Sequence, residues 1–155
     1  MAFEFTDALS EVKTLISSNW TKANTDSIEP TFEYVYDKKV YTHYDGQDVV
    51  FFQEIGQNQE LSSLGNTARD RFYRIRIDIR SNYEGRADDA GRSHLVKMKK
   101  ETERIINTNA PYEFTNGQGI IVITNQTDLT NGMKKLWRVV YELEVRKYNE
   151  VLAWN

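Results

Sequence analysis

The segment "RFYRIRIDIRS", residues 71–81, alternates almost without interruption. Successive side chains of an extended chain point to opposite faces. Tyr73, Ile75, Ile77 and Ile79 therefore share one face, and Phe72, Arg74, Arg76, Asp78 and Arg80 share the other. This pattern predicts a strand with one side in a core and one side outside it. A second segment repeats it. From about Lys134 to Val145 or beyond, Trp137, Val139, Tyr141, Leu143 and Val145 alternate with Leu136, Arg138, Val140, Glu142, Glu144 and Arg146. Twelve extended residues span about 40 Å, well beyond the usual strand length.

Two segments carry helical periodicity instead. In residues 6–20, Leu9, Val12, Leu15 or Ile16, and Trp20 recur at three- and four-residue steps, with Thr6 as a cap and Asp7 in the first turn. In residues 87–107, Ala87, Ala90 or Gly91, Leu95, Met98, Thr102 and Ile105 share a face. Lys97, Lys99, Lys100, Glu101, Glu103 and Arg104 lie mostly off it and read as a solvated side, while Asp88 and Asp89 suit the positive helix start. Further strands are predicted near 31–36, 39–44 and 48–55, the last two flanking an Asp-Gly turn, and at 120–124. Residues 56–70, polar and bracketed by glycines, read as a long loop.

Alternating strands indicate an antiparallel sheet with one covered face, and two amphipathic helices suffice to cover it. The expected fold is α+β: a mostly antiparallel twisted sheet with two helices packed on one face, in a single domain of 155 residues. The hydrophobic content of 39% supports a folded core. The chain has no cysteine, which excludes disulfides and thiolate chemistry. No apolar run is long enough for a membrane span, and the first residues lack the pattern of a signal peptide, so the "NWT" and "NQT" sequons read as chance.

Catalytic and cofactor motifs were sought and not found. The two histidines, His43 and His94, have no partner at metal-ligand spacing and read as structural. Adjacent Asp88 and Asp89 diverge on a helix, and the glycines of "GQGI" and "NGMKK" precede no helix. No convergent nucleophile, base or metal set is visible, so neither an enzyme nor a cofactor is expected. The arginine face has three readings. It is a solvated surface, a subunit interface with Glu142 and Glu144 among its acids, or a phosphate contact. Against the last stand a net charge of −3 and a single aromatic, Phe72, on the arginine side. Long strands and a tryptophan near the end of the sequence, Trp154, favour an assembly component.

The order and texture of these segments resemble the tail terminator proteins of tailed bacteriophages, also called head–tail joining or tail-completion proteins. The resemblance rests on "FTDALSEVKTLISSNW", "IEPTFEYVY", "RDRFYRIRIDIRS", "ADDAGRSHLVKMKKETERIINT" and "MKKLWRVVYELEVRKY", which together cover nearly the whole chain. It implies a homo-oligomeric, hexameric ring that caps the tail tube and docks to the head–tail connector or stopper protein. DNA would pass through its lumen without specific binding. The location implied is the virion neck, after assembly in the host cytoplasm. Other neck rings, the stopper and head-completion proteins, share this texture. The candidate subunit interface is Arg74, Arg76, Asp78, Arg80, Glu142 and Glu144. The candidate contact with tube or connector is the 56–70 loop, with Gln57, Glu60, Leu61, Leu64 and Arg69.

Overall fold

A computed structural model of the chain describes residues 8–34, 48–61, 68–82, 88–109, 111–114, 117–130 and 136–151. The element order is α1 (Ala8–Asn19), a 3-10 turn (Lys22–Thr25), β1 (Thr31–Tyr34), β2 (Asp48–Leu61), β3 (Ala68–Asn82), α2 (Asp88–Thr108), β4 (Pro111–Phe114), β5 (Gly117–Asp128) and β6 (Leu136–Val151). The six strands form one sheet in the order β1-β2-β3-β6-β5-β4. All neighbours are antiparallel except β1 and β2, which run parallel. The fold is α+β, as the alternation and the two helical periodicities indicate.

The central strands carry the core. Ile75, Ile77 and Ile79 of β3 and Val139, Tyr141, Leu143 and Val145 of β6 are all buried in one cluster. From the helices, Leu9, Val12, Leu15 and Ile16 of α1 and Leu95, Met98, Ile105 and Ile106 of α2 close over them. Each fully buried aliphatic side chain contributes about 1.5–3 kcal/mol. Trp20 packs edge-on against Phe32, ring centres 5.5 Å apart, and its Nε1–H donates to the Ile28 carbonyl at 2.9 Å. The indole thus fastens the segment after α1 to the first strand.

Three expectations need correction. The polar segment 56–70 is not a loop. β2 runs on to Leu61 and β3 begins at Ala68, so Gln57, Glu60 and Leu61 are ladder residues of β2 and Arg69 of β3. Only 62–67 lies between them, and Leu64 there is outside the described residues. Pairing with β3 holds this part of β2 extended whatever the side chains prefer, which is why glutamine, asparagine and glycine are tolerated there. The 120–124 strand is likewise longer, Gly117–Asp128, with β4 on its outer side. The hairpin partner expected at 39–44, with His43, is outside the described residues, as are Thr6, Asp7 and Trp154.

Glu101 is the third correction. Its place off the apolar seam predicts a solvated side chain, yet it is buried. Its carboxylate accepts the Thr21 N–H at 3.0 Å and Arg104 Nη2–H at 2.5 Å. Arg104 also donates to the Asn19 carbonyl at 3.0 Å, so a cation caps the C-terminal end of α1. Burial opposes ionisation of Glu101, but hydrogen bonds from Arg104, the Thr21 N–H and Asn24 outweigh it and hold the carboxyl below its ordinary value.

Candidate surface on the outer sheet face

The sheet has a covered face and an outer face, and register decides what meets on the outer one. Along β3 and β6 the cross-strand pairs are Phe72–Arg146, Arg74–Glu144, Arg76–Glu142, Asp78–Val140 and Arg80–Arg138. β2 adds Val49 beside Arg80 and Phe51 beside Asp78. β5 adds Ile120 beside Arg146 and Val122 beside Glu144. Of the candidate interface residues, all six lie on this one face.

They do not behave alike. Asp78 is 4% exposed and accepts four hydrogen bonds. Arg80 reaches it through Nε at 3.2 Å and Nη2 at 2.8 Å, and Arg138 through Nε at 3.0 Å and Nη2 at 2.8 Å. Two forked guanidiniums thus saturate one carboxylate, the strongest form of neutral-pH ion pairing. The Arg80 guanidinium lies 5.2 Å from the centre of the Phe51 ring, and Phe51 and Val49 are buried beneath this end of the face. Asp78 and Arg80 are therefore committed inside the subunit, and Asp78 presents almost nothing to a partner.

At the other end the contacts of Glu142 are loose. Arg74 Nη2 stands 3.8 Å from Glu142 Oε2, and Arg76 Nη2 is 3.5 Å from Glu142 Oε1. These distances lie at or beyond the limit of a hydrogen bond. The Arg74 side chain is 57% exposed. Arg76 Nε is buried with no hydrogen-bond partner among the described residues. Arg146 Nε–H donates to Glu144 at 2.6 Å, and that carboxylate raises the arginine's pKa further. Phe72 meets Tyr148 edge-on at 6.3 Å, so a second aromatic joins Phe72 on the arginine side. Tyr148 and Ile120 are two of the four large apolar side chains found exposed among the described residues.

The covered face holds two polar contacts that periodicity does not reveal. Lys147, fully buried, continues the apolar series of β6 and pairs with Glu11 of α1 at 2.8 Å. The Tyr141 hydroxyl donates to Glu103 at 2.5 Å, and burial followed by this carboxylate drives the phenol's pKa far up. A lysine in phase with an apolar strand is itself the signal that a buried carboxylate faces it.

Among the described residues, those with catalytic potential do not assemble into a relay. His94 Nδ1 is 2.9 Å from Asp48 Oδ2, and the Ser81 hydroxyl donates to Asp48 Oδ1 at 2.6 Å. Here the carboxylate sits between hydroxyl and imidazole, whereas activation of a serine needs the imidazole in the middle. Among the described residues no three of His, Asp and Glu converge as metal ligands, and no helix is long and apolar enough to cross a membrane. No family model matches the chain, and no curated protein sequence is significantly similar to it.

Proposed function

We propose that this chain is a self-assembling structural subunit, a tail-terminator ring protein of a tailed bacteriophage. The observation that carries the reading is the division of the sheet. One face is sealed by two helices, and the other offers loosely held charges of both signs beside exposed Tyr148 and Ile120. A surface of mixed sign with apolar groups suits a protein partner better than a polyanion. The order and texture of the segments supply the specific identity. In this role the homohexameric ring caps the tail tube, contacts the tube protein and the head connector or stopper, and lets DNA through without gripping it. Ring stability comes from buried apolar area repeated by symmetry, because exposed ion pairs add only about 0–1 kcal/mol each.

Electron microscopy and native mass measurement of the purified protein, alone and with tail tubes, test this. Rings, or closed caps on tube ends, are expected. A protein that stays monomeric and leaves tube ends bare contradicts it. A second reading, a nucleic-acid-binding module, draws on the Phe72–Tyr148 pair beside Arg74 and Arg146. Its mark would be DNA binding that weakens steeply with salt.

A further inference from the structure

The register of the two central strands places opposite charges in mirrored positions. Arg74 and Arg76 lie on β3, and their cross-strand partners Glu144 and Glu142 lie on β6. Consider a two-fold axis in the plane of the outer face, parallel to the strands and midway between β3 and β6. Rotation about it lays a second sheet face to face on the first, with the copy's β3 over this β6. Because the pairs are in register, Arg74 and Arg76 then meet Glu144 and Glu142 of the copy at the same height, while Arg80 falls over the copy's Arg138, which confines the complementarity to the Arg74 end. The Arg146 of the copy comes over Phe72 in the same way, where a guanidinium on an aromatic face is favourable.

We infer that the Arg74 end of the outer face pairs two-fold with the same face of a second copy of this chain. Three observations select this occupant. The charges complement themselves under the rotation, as an isologous contact requires. The intramolecular pairs of Arg74 and Arg76 are long, so their guanidinium donors have capacity left, and the side chains remain 57% and 39% exposed. The exposed Tyr148 and Ile120 border the charges on this end and add apolar area to the contact. A polyanion fits less well, because Glu142 and Glu144 stand among the arginines.

Four strands and about four rows of outward side chains cover roughly 500 Å2 on each copy. The total of about 1,000 Å2 is at the lower edge of specific interfaces, so a weak, reversible pair is expected. Salt weakens it, since most of its complementarity is between partly exposed charges. The inference does not need the ring reading, which draws on the same face, so the two contacts are alternative occupants of it. A ring closes through heterologous contacts, and this one is isologous.

The test is a charge-exchange experiment by sedimentation equilibrium. R74E/R76E makes the four facing positions 74, 76, 142 and 144 all acidic, and E142R/E144R makes them all basic. The wild type is expected to form reversible two-fold pairs. Each variant alone is expected to associate at least about 100-fold more weakly, and an equimolar mixture to recover the pair. Far-UV circular dichroism and urea unfolding check that each variant is folded. If either double variant is not, R74E and E144R, one pair only, make the same comparison. A wild type that stays monomeric to about 1 mM overturns the inference, as do variants that associate like the wild type. So does a folded mixture that fails to associate, or a wild type that binds a single-stranded oligonucleotide through this end instead. Rings that persist in both variants overturn this contact alone and leave the ring reading standing.

Discussion

The two ends of the outer face use the same residue types for opposite purposes. At one end Asp78 is buried under Arg80 and Arg138 with four hydrogen bonds of 2.8–3.2 Å, above a buried Phe51. At the other, Glu142 is approached by Arg74 and Arg76 at 3.8 and 3.5 Å, all of them partly in water. Distance and burial, not composition, separate a charge that serves the fold from one left for a partner. Desolvated charges must be fully paired or they destabilise, while exposed ones can stay loosely paired at little cost.

Removing a charge from each setting ranks them. Asp78→Ala leaves two guanidiniums without their carboxylate and is expected to cost about 3–5 kcal/mol in urea unfolding. A loss under about 1 kcal/mol would erase the distinction between the ends. Glu101→Gln, under the helices, is expected to cost about 2 kcal/mol at neutral pH, because a buried acceptor loses charge-assisted donors. Its pH dependence has a definite sign. The folded pKa is depressed below 4.5, so the contribution is complete above about that pH and is lost as pH falls through the folded value. The acid decline in stability should therefore be shallower in Glu101→Gln than in the wild type, and parallel declines would show that Glu101 is not the group responsible. Tyr141→Phe keeps the ring and deletes the donor to Glu103, for an expected loss of about 1–1.5 kcal/mol. An unchanged unfolding midpoint would mean the hydroxyl contributes nothing there. Arg74→Ala is expected to change monomer stability by no more than about 0.5 kcal/mol. A larger loss would make Arg74 part of the fold and close the gap between the two ends.

Much of this was legible in the residues. The alternation of β3 and β6 assigned Ile75, Ile77, Ile79, Val139, Tyr141, Leu143 and Val145 to the core and the arginines to the far side, and the helices fall within two residues of their expected bounds. What the sequence withheld was pairing. Nothing in either strand alone says that Arg80 sits opposite Arg138, or that Asp78 lies between them, because register is a property of two strands. The 56–70 segment failed for a related reason. Its glutamines and asparagines carry no alternation, and only the neighbouring strand makes them extended. Glu101 looks like a solvated helix position, and Glu11 gives no sign of its burial, because their partners, the Thr21 N–H and Lys147, lie 80 and 136 residues away in the chain.

Hydroxyl-radical footprinting over a range of protein concentrations compares the two ends in a single sample. Phe51 should be unreactive throughout, whereas Tyr148 should be oxidised in dilute protein and become protected as concentration rises. Equal oxidation of Tyr148 at every concentration, with Phe51 still shielded, would show that the Arg74 end faces water alone.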